Sequence, residues 1–327
     1  MGKCWGDVVL QGMILSQFPD LQWLKQKIDE RFQHRRGLNN IPLDTDGFPS
    51  VIINTQVKES YRNDVVGPIS VFMNLQGTSR CSVEGRSVAI PEDYFFLSNR
   101  FQAYTLEIES TKPVETFNIH IGEVFSEGVL SALLTPADTM LNDGLQQKTA
   151  TIAFYNQLYR KDECFHRIVR SLQALKKSPK LNKLLFEERM TSLLLYLLGQ
   201  HRHLMQQVAR LPAIKRSTRL EVYRRLSFAL DHLHAHTDGE IDLEALSATA
   251  CLSKYHFLRL FKQAYGRSPY QYWQGLRLQK AQHLLRHTAL PVEDIATTLG
   301  FENSNSLSRL FHQRLKLYPT QFRQAVK

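Results

Sequence analysis

Two stretches decide how this chain is read: Ser253-Lys-Tyr-His-Phe-Leu-Arg-Leu-Phe-Lys-Gln263 and Asn303-Ser-Asn-Ser-Leu-Ser-Arg-Leu-Phe-His-Gln313. They align at an offset of 50 residues, so that Arg259, Leu260, Phe261 and Gln263 recur as Arg309, Leu310, Phe311 and Gln313. Farther on, Pro269 and Gln271 recur as Pro319 and Gln321. Self-similarity at a fixed spacing means that one supersecondary unit is present twice. Each copy follows a shorter segment with one apolar face, Leu243, Leu246 and Ala250 in the first and Val292, Ile295, Ala296 and Leu299 in the second. A short helix, a tight turn and a second helix make the helix-turn-helix plan. Gly300 takes a left-handed backbone cheaply in the second turn, whereas the first turn has Cys251, whose side chain makes a positive φ a tighter fit.

Helical phasing sorts the repeated helices into two faces. Phe257, Leu260 and Phe261 share one face, as do Leu307, Leu310 and Phe311, and these are expected to be core. The other faces carry Lys254, Tyr255, Leu258 and Arg259, and Ser304, Asn305, Ser308 and Arg309. These are the side chains that read duplex DNA: Arg spans guanine O6 and N7, Asn pairs with adenine, and Tyr or Leu touches a thymine methyl. Lys and Ser serve phosphates or base edges. The competing reading of Arg259 and Arg309 is a solvated charge or an ion pair within the domain. Between the copies, Ser268 to about Arg286 reads as one helix, with Leu276, Ala281, Leu284 and Leu285 buried and Arg277 as a packing or salt-bridge residue. At 1.5 Å per residue such a rod is roughly 30 Å long. Adjacent major grooves on one face of B-DNA lie about 34 Å apart.

On these residues the segment from about 218 to 327 resembles the DNA-binding domain of AraC-type regulators. The matching pieces are Ser253-x-x-His-Phe-x-Arg-x-Phe-Lys, the long linker helix, Ile295-Ala-x-x-x-Gly300-Phe301 and Leu307-x-Arg-x-Phe. The resemblance implies groove contacts from Tyr255, Leu258 and Arg259 in the first unit, where phasing adds Lys254, and from Ser304, Asn305, Ser308 and Arg309 in the second. It also implies double-stranded promoter DNA and RNA polymerase as partners, activation as the sign of regulation, and a homodimer.

Charge agrees with a polyanionic partner. Residues 215–327 hold 17 Lys and Arg against 9 Asp and Glu, whereas residues 1–214 hold 24 against 22, so most of the net +10 lies in the last third. Such a concentrated field favours phosphates, which release counterions on binding. Cys4, Cys81, Cys164 and Cys251 show no Cys-x-x-Cys spacing, which speaks against a zinc finger or a disulfide framework and for a reducing compartment. The first residues lack the pattern of a signal peptide, and the apolar run Met190 to Leu198 is about half the length of a membrane crossing. A soluble, cytoplasmic protein is expected.

The first half reads differently. Leu21, Leu24, Ile28 and Phe32 lie at helical spacing within 20–37. Short β-like runs follow at Val51–Val57, Ile69–Leu75, Arg80–Val83, Ser87–Ile90, Tyr94–Leu97, Tyr104–Ile108 and Glu115–Ile121, with turns at Gln76-Gly77 and Glu84-Gly85-Arg86. Many short strands at close spacing predict an antiparallel barrel or sandwich. The run from Val83 to Leu97 resembles the hairpin of the cupin-like barrels that precede many AraC-type domains, with Glu92 where Gly is common. That resemblance implies a sensory pocket for a small-molecule effector. From about 126 to 210 the pattern is helical, with a Leu-rich stretch at 184–198 that reads as core or as a dimer seam. The expected fold class is therefore multidomain α+β: a cupin-like β-barrel with flanking helices at 1–125, a helical and dimerising part at 126–211, a linker at 212–217, and an all-α double helix-turn-helix domain at 218–327.

Other functions find less support. His232 and His236 share a helix face one turn apart, a spacing that can hold a metal, but no partner motif accompanies them, so no metal or cofactor is expected. A metal-dependent cupin enzyme needs about three imidazole or carboxylate ligands, and His120 is the only histidine in 50–121. No phosphate loop, dinucleotide fingerprint or catalytic triad is visible, and the chain is read as not an enzyme. A regulator controlled by a protein partner, with no small ligand, stays open as the alternative.

Overall fold

The computed structural model describes residues 14–22, 25–26, 48–134, 152–176, 183–213, 215–235, 237 and 239–325. The expected helix at 20–37 lies largely outside them. The chain divides into two compact units, Met1–Arg202 and His203–Lys327.

The first unit is built on an eight-stranded sheet. Its strands are β1 (Ile14–Leu15), β2 (Val51–Val66), β3 (Ile69–Gln76), β4 (Ser79–Val83), β5 (Arg86–Ile90), β6 (Tyr94–Ser98), β7 (Ala103–Ile121) and β8 (Leu158–Arg160). Hydrogen bonding runs in the order β1-β2-β7-β3-β6-β8, with the β4–β5 hairpin attached to β7 through β4. The path has two ends and forms no closed ring among the described residues. All described pairs are antiparallel except β1 with β2.

Two of the expected strands are ends of one. Tyr104–Ile108 and Glu115–Ile121 both belong to β7, and β2 runs nine residues past Val57 to Val66. The polar stretches Lys58 to Asp64 and Glu109 to Lys112 break the apolar alternation that a sequence reading follows. Backbone ladder bonds do not depend on that alternation, and Glu59 to Arg62 of the polar β2 stretch pair with Leu106 to Glu109 of β7. Register shifts between Val57 and Glu59 and between Arg62 and Val65 bend the ribbon, as bulges do. At the β4–β5 turn, Glu84 and Gly85 both have positive φ, 51° and 75°, the two-residue hairpin geometry that matches strand twist.

Alternation along β6 sends neighbouring rings to opposite faces. Phe96 joins a core with Phe72, Ile90, Tyr104, Leu106 and Leu158. Phe95 stacks on Phe165 at 4.2 Å and 5° and on Tyr159 at 5.2 Å. Phe165 belongs to α2 (Glu163–Leu175), an amphipathic helix capped by Asp162, whose carboxylate accepts the Phe165 amide at 2.8 Å. The remaining helices that begin in this unit are α1 (Glu123–Leu134) and α3 (Lys183–Ala209), the latter crossing the unit boundary after Arg202.

The region 126–210, read as helical, thus also contains β8. Three residues are too few to show a period, and only their pairing with β6 makes them a strand. Next to them, buried Lys161 donates its ammonium to the carbonyls of Asn74 and Glu92. Glu92 itself accepts the Gly77 amide at 2.6 Å, so the residue that departs from the hairpin pattern has a defined place. In the Leu-rich stretch, Met190, Leu193, Leu194 and Leu197 are fully buried within the chain, while Leu184 and Leu195 are exposed. No helix among the described residues is long and apolar enough to cross a membrane.

The second unit is helical: α4 (Arg216–Ala235), α5 (Leu243–Thr249), α6 (Lys254–Tyr265), α7 (Pro269–His287), α8 (Val292–Thr298), α9 (Ser304–Leu315) and α10 (Pro319–Ala325). The N-terminal half of α7 packs with the first pair, where Tyr272 meets Phe261 at 5.8 Å and Tyr265 at 5.9 Å. Its C-terminal half supplies Leu278, Ala281 and Leu285 to the core that holds Ile295, Ala296, Leu299, Leu307 and Phe311. One rod therefore serves two cores.

Candidate nucleic-acid interface

The two helix pairs are closed by the same hydrogen bonds. In the first turn the Cys251 amide donates to Ala248 and the Leu252 amide to Ser247; in the second, Gly300 donates to Thr297 and Phe301 to Ala296. This is the Schellman arrangement, which needs a left-handed residue after the helix. Cys251 adopts it at φ 50°, as Gly300 does at φ 69°. The β-carbon at Cys251 is thus accommodated, at a conformational cost of about 1 kcal/mol. The second turn is one residue longer, with Glu302 between Phe301 and the cap Asn303.

Other repeated residues have local reasons too. Pro319 opens α10 as Pro269 opens α7, where its missing amide is not needed. The Gln271 side chain accepts the Ser268 amide at 3.1 Å, and Gln321 accepts the Tyr318 amide at 2.9 Å. Helices α6 and α9 both end on a left-handed residue, Gly266 at φ 73° and Lys316 at φ 61°.

At the start of α6, the cap Ser253 bonds His256 Nδ1 at 3.0 Å; at the start of α9, Asn303 Oδ1 accepts the Ser306 amide at 2.9 Å. Phe257 and Phe261, and Leu307 and Phe311, are fully buried, so the outward faces are fixed by their cores. On α6 those faces leave Lys254, Tyr255 and Arg259 exposed and Leu258 half-buried. On α9, Asn305 and Arg309 are exposed and Ser304 and Ser308 half-buried. Tyr255 is 73% exposed, a large ring with no packing role that accounts for it. Arg259 and Arg309 make no side-chain ion pair or hydrogen bond among the described residues. Lys254 is held by Glu244 of α5 at 2.6 Å, a partner that spacing within one helix does not reveal.

Arg277 shows what fixes the second pair to the rod. It is buried, its guanidinium lies 3.7 Å from the Phe301 ring centre and 4.3 Å from that of Trp273, and its Nε donates to the Leu299 carbonyl at 2.8 Å. Desolvation lowers its pKa from the usual guanidinium value. No carboxylate pairs with it among the described residues; aromatic faces and one helix-end carbonyl take that place.

A family model described as a helix-turn-helix domain matches residues 246–325. Over 100 residues the chain is 40% identical to the HTH-type transcriptional activator RhaS of Shigella boydii, covering 31% of this chain and 36% of that protein. The C-terminal segment is a helix-turn-helix domain similar to that of this activator. A further relative is the MmsAB operon regulatory protein of Pseudomonas aeruginosa, 35% identical over 112 residues, which cover 33% of this chain and 36% of that one. The chain thus spans about a third of the length of the curated relatives it matches. Among solved structures, the DNA-binding domain of AdpA in complex with a target DNA is 29% identical and covers 31% of this chain and 91% of that one, with a TM-score of 0.30. ToxT from Vibrio cholerae is 10% identical, covering 86% of this chain and 98% of that one, with a TM-score of 0.34. The segment matched by the helix-turn-helix model begins within α5 and runs through α10, so it contains both second helices and the rod between them.

Proposed function

We propose that this chain is a sequence-specific DNA-binding transcription regulator that acts as an activator at promoter DNA. Residues 218–327 serve as the DNA-binding domain and 212–217 as the linker. Residues 1–125 form a cupin-like regulatory domain responsive to a small-molecule effector, and 126–211 a helical part that forms a homodimer. The observation that carries this reading is the paired presentation of α6 and α9: two helices of the same phase, each with an unpaired arginine at the same position, built on one rod of about 28 Å. Lys254, Tyr255, Leu258 and Arg259 meet one major groove, and Ser304, Asn305, Ser308 and Arg309 the next. The name of RhaS as a transcriptional activator supports the sign. RNA polymerase is the partner that an activator must reach, and the cytoplasm is where both are found.

The test is footprinting on the DNA flanking the gene, followed by binding titrations on the protected sequence. A lost bidentate arginine contact costs about 1–3 kcal/mol. Arg259→Ala with Arg309→Ala should therefore weaken specific binding by at least about 30-fold while nonspecific binding changes far less. Unchanged specific affinity in the double variant would show that these helices do not read the bases.

A further inference from the structure

The sequence alone names no residues for an effector site in the first unit. The structure contains an open-mouthed cavity there, with about 560 Å³ of empty space counting the mouth. Its walls are apolar and include Phe18, Phe48, Val51, Ile53, Phe72 and Leu106. Four polar side chains break that lining: Arg62, Tyr104, Asn118 and His120. They come from the paired strands β2 and β7, and Asn118 and His120 are two residues apart on the same face of β7.

The hydrogen bonds of these groups define what they leave available. Ser70 Oγ gives its one proton to the Pro68 carbonyl at 2.9 Å, so at 2.9 Å from His120 Nδ1 it must accept. That fixes the proton on Nδ1 and leaves Nε2 as an acceptor. Burial, with Arg62 nearby, pushes the His120 pKa down to about 4, so the ring is neutral at pH 7. Asn118 uses its oxygen on the Met73 amide at 3.3 Å, which leaves its NH₂ as a donor. The Tyr104 hydroxyl keeps its proton, since burial raises its pKa. Arg62 lies over the Phe18 ring at 5.3 Å, and the field of Asp20 favours its charged form. Among the described residues, the Arg62 guanidinium, the Tyr104 hydroxyl, the Asn118 NH₂ and His120 Nε2 have no protein hydrogen-bond partner. One cation, two further donors and only two acceptors, His120 Nε2 and the Tyr104 oxygen, thus face an apolar chamber.

We propose that this cavity binds a small organic acid with an apolar body, its carboxylate held by Arg62 and by the Tyr104 and Asn118 donors. A neutral polyol such as a sugar fits poorly, because its many hydroxyls would be buried against hydrocarbon with few acceptors to take them. A carboxylate needs only acceptor lone pairs and matches the guanidinium fork. His120 Nε2 accepts from a hydroxyl or amino group on the acid where one is present. The proposal rests on reading the first unit as regulatory and names the class of its ligand.

Calorimetric titration of the full chain at pH 7 tests it, with no DNA present. The probes are octanoate for an alkyl body, 3-phenylpropionate for an aryl body, and the primary amide of each. At least one acid should bind tenfold or more tighter than its amide. Arg62→Met should abolish that preference, and Arg62→Lys should restore part of it. Arg62 is half-buried at the mouth, and an unchanged melting temperature of the free variant would show that the fold persists. No binding by either acid, equal binding of acid and amide, or a preference that survives Arg62→Met would overturn the proposal. Failure here leaves operator binding untouched, and failure of operator binding leaves this titration intact, so the two readings fall separately.

Discussion

Cys251 holds a backbone state that its residue type avoids, and His120 stays neutral at acidic pH where a free imidazole is charged. Cys251 sits at φ 50°, where its repeat partner is a glycine. Cys251→Gly should relieve more strain than it adds in unfolded-chain entropy and stabilise the second unit by about 0.5–1 kcal/mol, seen as a higher denaturant midpoint with an unchanged slope. His120 is held neutral, its pKa lowered to about 4 from an ordinary 6.5. Between those values the unfolded chain takes up a proton that the native chain refuses, so stability rises with pH across this window and is complete above it. At pH 5 the loss from this residue is about 2 kcal/mol. His120→Asn, which can still donate to Ser70, should remove that portion of the drop between pH 7 and pH 5 in urea titrations. An identical pH dependence in the variant would show that the imidazole is not the titrating group.

At the scale of elements, the rod α7 matters because it belongs to both helix pairs. Arg277 joins it to the turn of the second pair through the Leu299 carbonyl and the Phe301 ring. Arg277→Met removes a charge-assisted bond and leaves a carbonyl unpaired, at a cost of about 2–3 kcal/mol. Hydrogen exchange should then quicken in α8 and α9 more than in α5 and α6. A second element contact restrains Lys254 through Glu244. Both side chains are largely exposed, so the pair itself contributes little to stability. Its removal by Glu244→Gln deletes a negative charge beside the proposed groove and frees a cation. DNA affinity should rise about threefold at low salt, with the gain fading as salt screens it.

For the whole molecule, the prediction concerns extent rather than any one contact. Two readers on one rod should protect two successive major grooves, about 34 Å between centres. Arg309→Ala alone should shrink protection at one end of the operator and leave the other intact, as resolved by hydroxyl-radical footprinting. If six or more phosphates are engaged, affinity should fall by about a thousandfold between 50 and 200 mM salt. A shallow salt slope with a single short footprint would mean that only one helix pair docks.

The double helix-turn-helix was legible in the sequence because its signals are local. A 3.6-residue period, a tight turn before each second helix, and Pro and Gln at fixed offsets all act within a few residues of one another, and each recurs about 50 residues later. Local hydrogen bonding and one buried stripe suffice to set which side of α6 and α9 faces out. The long arms of β2 and β7, the strand β8, the ion pair of Lys254 and the cavity were decided only by tertiary structure. Polar strands such as Lys58 to Asp64 form because a distant partner satisfies their backbone, which no period in their own residues records. Asn118 and His120 stand out as polar residues in an apolar strand, yet what they can bind depends on Arg62, Ser70 and Tyr104. Those groups are brought together by pairing across tens of residues, and chemistry assembled from separate strands is written in their register rather than in any one segment.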